Sequence, residues 1–475
     1  LGMGGGSTDE EIPAVKELMA VPQAQLRTLH RTNRDDLRAN LRLGDVQLLS
    51  MTSVPPGVLA NVGGMVGARS VKVVGLESKE ERVAGDRDSW WSEVREDIRA
   101  HARALGCTHI LGYSETTCIY EGVCVLSGAG TACVLDPGAL ASGAAKDLTL
   151  SRCGACHIPY SHRSPPFSMR LVLCELCGRK YVPDLVLASV DLPSYVRIQG
   201  QGQFLEVHVC RSKGGNDRKK LDTEISAGRV SEIMPFLEFD LHKQILCKLK
   251  LRAHNSVWGL KMQLAINEDS VICIATGTSV LLGALPLPQP LAIAKLEPVL
   301  PADAPDPLAP TPLLAELLRL SEANRQAALR FRDEVEREEG EDTDDSASDS
   351  SKSSTDSEGA QTSAYVLEID HQQELEDLVG LLQEPLQPLA LDVAACTTQR
   401  MPWGIAPGGT IPSVENCQLL TAFKRISVPG GGRMLAATLW QLMQEMLGAM
   451  AFRLRGVGPA LLCGVTSHLE LPDDN

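Results

Sequence analysis

An internal repeat constrains the fold of this chain more than any other feature of its sequence. Segments 147 residues apart carry the same pattern, both where residues alternate as in a strand and where they recur at helical spacing. The matched sets are Thr108–Gly112 with Asn255–Gly259; Ala129–Thr131 with Thr276–Thr278; Val58, Ala60 and Val62 with Leu205, Val207 and Val209; and Trp90, Val94, Ile98 and Ala102 with Leu237, Leu241, Ile245 and Leu249. One offset that serves strand, helix and hairpin together predicts two copies of a single folded unit.

A third copy follows at an offset of 352 residues. The matches to the first copy are Trp91, Val94, Ile98 and Ala102 with Met443, Met446, Met450 and Leu454, and Ile110–Gly112 with Leu462–Gly464. The strand predicted at 465–471 is followed only by the last residues to Asn475, and the partner strand that carries Gly-Thr in the other copies is missing. We therefore expect the chain to stop inside a repeat.

Each unit is predicted to contain a strand, a helix of about 18 residues and a hairpin of two further strands. Asp88 or Ser89 can cap the first helix. The pair Trp90 and Trp91 fits the core better than an exposed anchor for a partner. Antiparallel strands packed on one helix place the fold in the α+β class.

The composition changes along the chain predict how these units are connected. The predicted segments are a linker at 1–44, repeat 1 at 45–136, a cysteine module at 150–184, repeat 2 at 200–285, a proline-rich linker at 286–312, a helix at 313–337, an acidic-serine tract at 338–362 and a truncated repeat 3 at 364–475. The acidic-serine tract has too few apolar residues to offset the entropy of ordering, so we expect it to be disordered.

The net charge of −15 is concentrated in one segment. Residues 333–358 hold twelve acidic residues against Arg337 and Lys352, which leaves the remainder of the chain nearly balanced. Because no basic face is present, we expect no nucleic-acid partner.

Three hydroxyl residues in the acidic tract are candidates for phosphorylation. Ser346, Ser353 and Thr355 each have an acidic residue three positions later, a spacing that suits an acidophilic kinase. The alternative is that the tract is a plain solvated linker.

Four cysteines form two knuckles with the spacing of a zinc ribbon. Cys153 and Cys156 form the first C-x2-C pair, and Cys174 and Cys177 form the second. Zinc favours tetrahedral thiolate sites, and Gly178 follows the second pair where a positive φ is useful. We predict that these four cysteines bind one structural zinc ion, because a site with four protein ligands leaves no open position for catalysis.

The residue after the first knuckle raises an alternative. Cys153–His157 fits the C-x-x-C-H pattern of c-type haem attachment. That reading requires export and makes no use of the second knuckle, so zinc is favoured. His157 is then either a donor beside the site or an exposed residue.

The remaining residues argue against an enzyme and against an oxidising compartment. Fourteen cysteines are too few for a disulfide scaffold in a chain of 475 residues, so we expect a reducing compartment. The glycine-rich stretch Gly63–Gly67 lacks the lysine of a phosphate loop. Ser114 has no recognisable histidine and acid partners. Neither a signal peptide nor a membrane span is visible in the sequence.

Several longer motifs resemble the C2 domain-containing protein 5 family. They are Val66–Lys72, Asp88–Trp91, His101–Gly106, Gly112–Glu115, Cys156–Tyr160, Val182–Asp184, Pro235–Glu238 and Val366–Asp370. The resemblance covers about 45–285 closely and 364–475 more loosely, and it includes the four knuckle cysteines. The repeat itself resembles the bacterial YbjQ-like domain, a small α+β fold that is named for heavy-metal binding and assembles as a pentamer.

The resemblance implies a non-enzymatic scaffold in a peripheral membrane protein of the cytoplasm. Members of the family bind calcium and phospholipid through a C2 domain and act with protein partners in delivering and fusing glucose-transporter vesicles at the plasma membrane. This chain carries no C2 domain, so calcium and lipid binding would depend on a domain outside it. The alternative function is metal handling, as the name of the bacterial domain implies.

The resemblance also leads us to expect a ring. Two complete repeats and part of a third lie here, and the family implies one further repeat on each side. We expect the full protein to fold as a pseudo-pentamer from one polypeptide, in which neighbouring repeats pack side by side in the same orientation.

Overall fold

The computed structural model describes the cores of the repeats, the cysteine module and parts of the predicted linkers. The described residues are 46–74, 80–136, 153–163, 170–214, 223–290, 292–294, 312–341, 366–368, 393–402, 416–427, 432–457 and 460–471. The predicted linker 1–44 and the candidates Ser346, Ser353 and Thr355 lie outside them. Of the predicted tract 338–362 only 338–341 is described, where it continues a helix.

The first unit is a four-stranded sheet packed against one helix. Its elements are β1 (Gln47–Leu48), β2 (Leu59–Val73), α1 (Glu80–Ala104), β3 (His109–Tyr120) and β4 (Val123–Leu135). The strands lie in the order β1-β3-β4-β2, with β1 parallel to β3 and the other pairs antiparallel. The predicted stripe holds, since Val94, Ile98 and Ala102 are buried in the core of the unit. Trp90 and Trp91 pack half-buried against the same core.

The cysteine module follows the first unit. It contains a 3₁₀ turn at Gly154–Cys156 and a short antiparallel hairpin of β5 (Leu171–Leu173) and β6 (Tyr181–Pro183). The N–H of Ile158 donates to the carbonyl of Tyr181 at 3.0 Å, which joins the turn to the hairpin.

The second unit repeats the first. Its elements are β7 (Val186–Leu187), β8 (Ile198–Ser212), α2 (Thr223–Arg252), β9 (Ser256–Ile266) and β10 (Ser270–Leu282), and the strand order is β7-β9-β10-β8. All four residues of its predicted stripe are buried: Leu237, Leu241, Ile245 and Leu249. The helices are longer than the predicted 18 residues. Because α1 begins at Glu80, the predicted cap at Asp88 or Ser89 is wrong, and Glu and Arg residues extend the helix ahead of the apolar stripe.

The offset of 147 is correct for the helix and the hairpin but wrong for the first long strand. β4 and β10 match at 147, yet Thr131 pairs with Met65 whereas Thr278 pairs with Phe204. Met65 and Phe204 are 139 positions apart, so the match of Val58 with Leu205 is displaced by eight residues. Two features absorb the difference: the segment between the strand and the helix is six residues long in the first unit and ten in the second, and α2 begins one turn earlier than α1 at the offset of 147.

The third unit consists of fewer elements within the described residues. The later elements of the chain are β11 (Ala292–Ala294), α3 (Pro312–Glu341), β12 (Val366–Glu368), β13 (Val393–Ala395), α4 (Gly432–Leu454) and β14 (Ala460–Leu462). β13 pairs in parallel with β14, as β1 does with β3, whereas β12 pairs with β11. Met443, Met446 and Met450 are only half-buried. Among the described helices, none has the length and apolar character that crossing a membrane requires.

Backbone hydrogen bonds define equivalent positions in the three units. Gly112, Gly259 and Gly464 each donate an N–H to the segment after the short first strand, to the carbonyls of Met51, Val190 and Thr398 at 2.8–2.9 Å. The residues that precede those carbonyls are Ser50, Ser189 and Thr397. Each unit therefore presents one glycine and one hydroxyl at matching places.

The glycine of one unit also lies against the hydroxyl residue of the next unit. This contact joins the first unit to the second and the second to the third, and we call it the glycine–hydroxyl joint. Its members are Gly112, Thr131 and Ser189 at the first junction, and Gly259, Thr278 and Thr397 at the second. Both glycines have φ of +59°, and a Cβ added to either would lie 2.8 Å from the facing hydroxyl oxygen. The two threonines accept the backbone N–H of the facing residue at 2.7 and 2.8 Å.

The helices repeat this relationship on a larger scale. α2 packs on β2 and β4 of the first unit, and α4 packs on β8 of the second. Tyr120, Val123 and Val125 of the first unit complete the core of the second. Successive units are therefore related head to tail. The face of one unit that carries its glycine meets the face of the next unit that carries its hydroxyl residue.

Candidate metal centre

The first knuckle is a tight turn anchored on the first unit. Cys156 donates its N–H to the carbonyl of Cys153 at 3.0 Å, and His157 does the same to Gly154 at 3.1 Å. The side-chain amide of Asn61, in β2, donates to the carbonyls of Gly154 at 3.0 Å and His157 at 3.3 Å. The turn is therefore held to the sheet of unit 1 through one asparagine.

The second knuckle connects the two strands of the β5–β6 hairpin. The N–H of Cys174 donates to Lys180 at 2.8 Å, and that of Gly178 donates to Cys174 at 2.8 Å. Gly178 has φ of +59°, the left-handed conformation that a glycine at this position predicted. Burial alone would raise the pKa of Cys177. The backbone N–H groups of Arg179 and Lys180, which are directed at its sulfur, act in the opposite direction, and the net pKa is below the usual value.

Three of the four predicted cysteines meet in space, and the fourth member of the group is a histidine. The ligand atoms of Cys153, His157, Cys174 and Cys177 all lie within 4.8 Å of one another. The Nε2 of His157 is 3.4 Å from the Sγ of Cys177. Cys156 lies outside this group, buried in the apolar core around the module. His157 is 6% exposed, so it is neither exposed nor remote from the site.

The donor set fits zinc. Three thiolates and one imidazole form one of the common structural zinc sites, with Zn–S bonds of about 2.3 Å in a tetrahedron. Sulfurs around such an ion are separated by roughly 3.8 Å, which the spacing of the group accommodates. Burial, together with Cys174 and Cys177 nearby, raises the pKa of Cys153 to about 12. A thiol with so high a pKa needs a cation to become a thiolate near neutral pH.

The module lies in the seam between the first two units. One apolar core contains residues of unit 1, the module and unit 2, among them Leu59, Cys174 and Trp258. The N–H of Glu175, in the second knuckle, donates to Ala284 at 3.1 Å, and its carboxylate pairs with Arg332 of α3. The first knuckle is thus tied to unit 1 and the second to unit 2, so a metal bound by both would link the units.

Comparison with known proteins places this arrangement in a family. A family model described as "C2 domain-containing protein 5, YbjQ-like domain" matches residues 40–137 and 179–288, the two complete units. The chain is similar to C2 domain-containing protein 5, and its first two units match the YbjQ-like domain of that protein. The resemblance deduced from the sequence motifs is thereby confirmed. The cysteine group 153–177 lies between the two matched regions.

The curated relatives match along the whole chain. C2 domain-containing protein 5 of mouse and of human are each 31% identical over 500 residues, which is all of this chain and 46% of each relative. The Xenopus tropicalis protein is 31% identical over 497 residues. The chain thus spans about half the length of the curated relatives that it matches. A solved protein of unknown function from Pediococcus pentosaceus is 19% identical and covers 19% of this chain and 96% of its own, with a TM-score of 0.17.

Histidine as the fourth member is what sequence reasoning missed. The two C-x2-C pairs favoured a site of cysteines alone, and His157 drew attention only through the haem pattern. The available signal was the C-x3-H spacing of Cys153 and His157, which a 3₁₀ turn followed by extended backbone at His157 brings to one side.

Proposed function

We propose that this chain is a non-enzymatic scaffold of a C2 domain-containing protein that acts in calcium- and phospholipid-dependent vesicle traffic at the plasma membrane. The name of its relatives and the family resemblance support the C2 context. The observation that carries the scaffold role is the position of the cysteine–histidine group, one knuckle on unit 1 and the other on unit 2. A metal held there fastens two domains together.

The geometry of the group favours a structural role over metal handling. All four ligand positions are filled by the protein, and three of the four residues are buried. A site that delivers metal needs an open or exchangeable ligand position, whereas a closed site with thiolate ligands holds zinc as part of the fold.

Mild chelation separates the two functions. A scaffold should keep its zinc against a chelator of moderate affinity, and forced removal should loosen the packing of units 1 and 2, seen as a larger radius in small-angle scattering. Fast metal exchange with an unchanged radius would support handling instead. Cys417→Ser is a matched control, because Cys417 is exposed and lies outside the group.

We further propose that the units of the full protein close into a ring. The glycine–hydroxyl joint is not symmetric, so a row of units always ends with one unused face on each side. Ser50 is exposed at one end of this row, and at the other end no atom of the described residues lies within 4 Å of a Cβ built on Gly464. Five units, as in the family, would use every joint.

Cell rescue tests the trafficking role. In cells depleted of the endogenous protein, the full-length protein should restore glucose transporter at the surface after insulin, and a version carrying Cys174→Ser should not. Equal rescue by both would refute a scaffold role for the metal centre. Failure of the wild type to rescue would refute the trafficking role and leave the scaffold intact.

A further inference from the structure

A pair of cysteines outside the metal centre lies on adjacent strands of the third unit. Cys396 follows β13 and Cys463 follows β14, and the N–H of Cys396 donates to the carbonyl of Leu462 at 2.8 Å. This bond extends the parallel register of Ala395 with Leu462 by one residue, so the two cysteines are cross-strand neighbours. Neighbouring residues on paired strands have the separation that a disulfide requires.

Units 1 and 2 have no cysteines at the positions equivalent to Cys396 and Cys463. Equivalent backbone bonds assign the matching residues as Leu49 with Leu111 in unit 1 and Ala188 with Trp258 in unit 2. Those pairs fill apolar core, since Leu111 and Trp258 are each 1% exposed. Packing at this place is therefore satisfied by apolar side chains, and two thiols add chemistry that the fold itself does not need.

Cys396 and Cys463 differ in accessibility as the two partners of a redox couple do. Cys463 is exposed. Cys396 is fully buried, and its thiol donates to the carbonyl of Thr398 at 3.3 Å. The neighbouring Cys396 and the backbone N–H of Met401 lower the pKa of Cys463 to about 7, against the raising effect of burial. A thiolate of this kind is the one that oxidants attack.

We propose that Cys396 and Cys463 form a reversible disulfide, in which exposed Cys463 reacts first with hydrogen peroxide and buried Cys396 resolves it. In the first step the Cys463 sulfur attacks the peroxide, the O–O bond breaks, and Cys463 sulfenic acid and one water form. In the second step the Cys396 sulfur attacks Cys463, the S–O bond breaks, and its thiol proton leaves with the hydroxide as water. Two thiols lose two electrons and the peroxide gains them. This inference does not depend on the proposed trafficking role.

Peptide mapping after oxidation tests the pair directly. The chain, freed of reductant, is treated with hydrogen peroxide, alkylated and cleaved with trypsin. Trypsin releases 353–400, which contains Cys396 alone, and 456–475, which contains Cys463 alone. We expect these peptides to be joined with the loss of two hydrogens, and dithiothreitol to separate them. Cys463 oxidised to sulfinic acid while Cys396 stays free would overturn the proposal.

Two variants make the test independent of folding defects. Cys396→Ser should abolish the linkage and raise the yield of trapped sulfenic acid on Cys463 severalfold, since no resolving thiol remains. Cys417→Ser, which removes another exposed cysteine, should leave the linkage unchanged. Iodoacetamide should alkylate Cys463 at pH 7 roughly threefold faster than an ordinary cysteine, after the lower nucleophilicity of a more acidic thiol is counted. Crosslinks of Cys463 to Cys417 in equal yield would show random oxidation and refute the pair.

Discussion

The glycine–hydroxyl joint predicts that two glycines with nearly the same backbone conformation respond differently to the same substitution. Gly112 and Gly464 occupy equivalent positions with φ of +59° and +66°. A Cβ on Gly112 would lie 2.8 Å from the Oγ and 3.0 Å from the carbonyl oxygen of Ser189, whereas a Cβ on Gly464 meets nothing within 4 Å in the part of the chain that the structure describes. Gly464→Ala is therefore a matched control for Gly112→Ala.

The expected magnitudes follow from these distances. An alanine held at positive φ costs about 1–2 kcal/mol, and both variants bear that cost. Gly112→Ala must also push the second unit away, and overpacking of this kind costs about 1–3 kcal/mol. We expect Gly112→Ala to lower the free energy of unfolding by about 2–5 kcal/mol, and Gly464→Ala by about 1–2 kcal/mol.

Thermal melts and a double-mutant cycle measure the difference. Each kcal/mol lowers the Tm of a body of 150–250 residues by about 2–4 °C, so the two variants should be clearly resolved. Ser189→Ala removes the hydroxyl that a Cβ at Gly112 would meet. In the Gly112→Ala background it should therefore cost less than it does alone, with a coupling of about 0.5–3 kcal/mol.

Equal destabilisation by Gly112→Ala and Gly464→Ala would refute this reasoning. That result would mean that only backbone conformation matters and that the two units do not press against each other at Ser189. Additive effects of Gly112→Ala and Ser189→Ala would lead to the same conclusion.

Three further predictions concern the metal centre, the core and the contact between units. Cys156→Ser should retain one zinc per chain by elemental analysis. His157→Ala should lose zinc to a chelator that leaves the wild type loaded. If Cys156→Ser lost zinc and His157→Ala kept it, the four cysteines would be the ligands instead. Burial lowers the pKa of His254 to about 3, so the unfolded chain takes up a proton near pH 6.5 that the folded chain does not. Stability should fall by about 1.4 kcal/mol per unit as pH drops below 6.5, and urea midpoints of His254→Gln should lack that component. Glu238→Gln breaks an ion pair with the largely buried Arg69 of the first unit and should cost about 1–2 kcal/mol, and a change below about 0.3 kcal/mol in urea unfolding would contradict this.

The sequence predicted the helix and hairpin of each unit well because their spacing is the same in both copies. It misplaced the first long strand for a physical reason. A strand has a period of two, so a shift of eight residues leaves every side chain on its original face. Val58 and Val62 are buried, as are Leu205 and Val209, and the incorrect match was therefore as amphipathic as the correct one. Only the pairing with β4 and β10 distinguishes the two registers.

The metal centre was predictable in part for a different reason. Two C-x2-C pairs predict a metal site, but they do not specify the direction in which each side chain leaves a turn. The 3₁₀ turn at Gly154–Cys156, followed by extended backbone at His157, brings the imidazole to the sulfurs of the group. The turn is held by Asn61, more than 90 residues earlier in the chain. Its side-chain amide donates to the carbonyls of Gly154 and His157, and a shift of the turn would break both hydrogen bonds.

Two of the residue pairs that made the repeat visible in the sequence lie where the units meet. Core positions vary freely among the copies, since Ala102, Leu249 and Leu454 all serve at one place on the helix, and any apolar side chain of suitable volume can fill a core. The joint is more demanding. It needs a residue without a Cβ at positive φ, and it needs a hydroxyl that accepts a backbone N–H from the next unit. Few residue types meet either condition, so Gly112 with Gly259 and Thr131 with Thr278 keep their identity while the core changes.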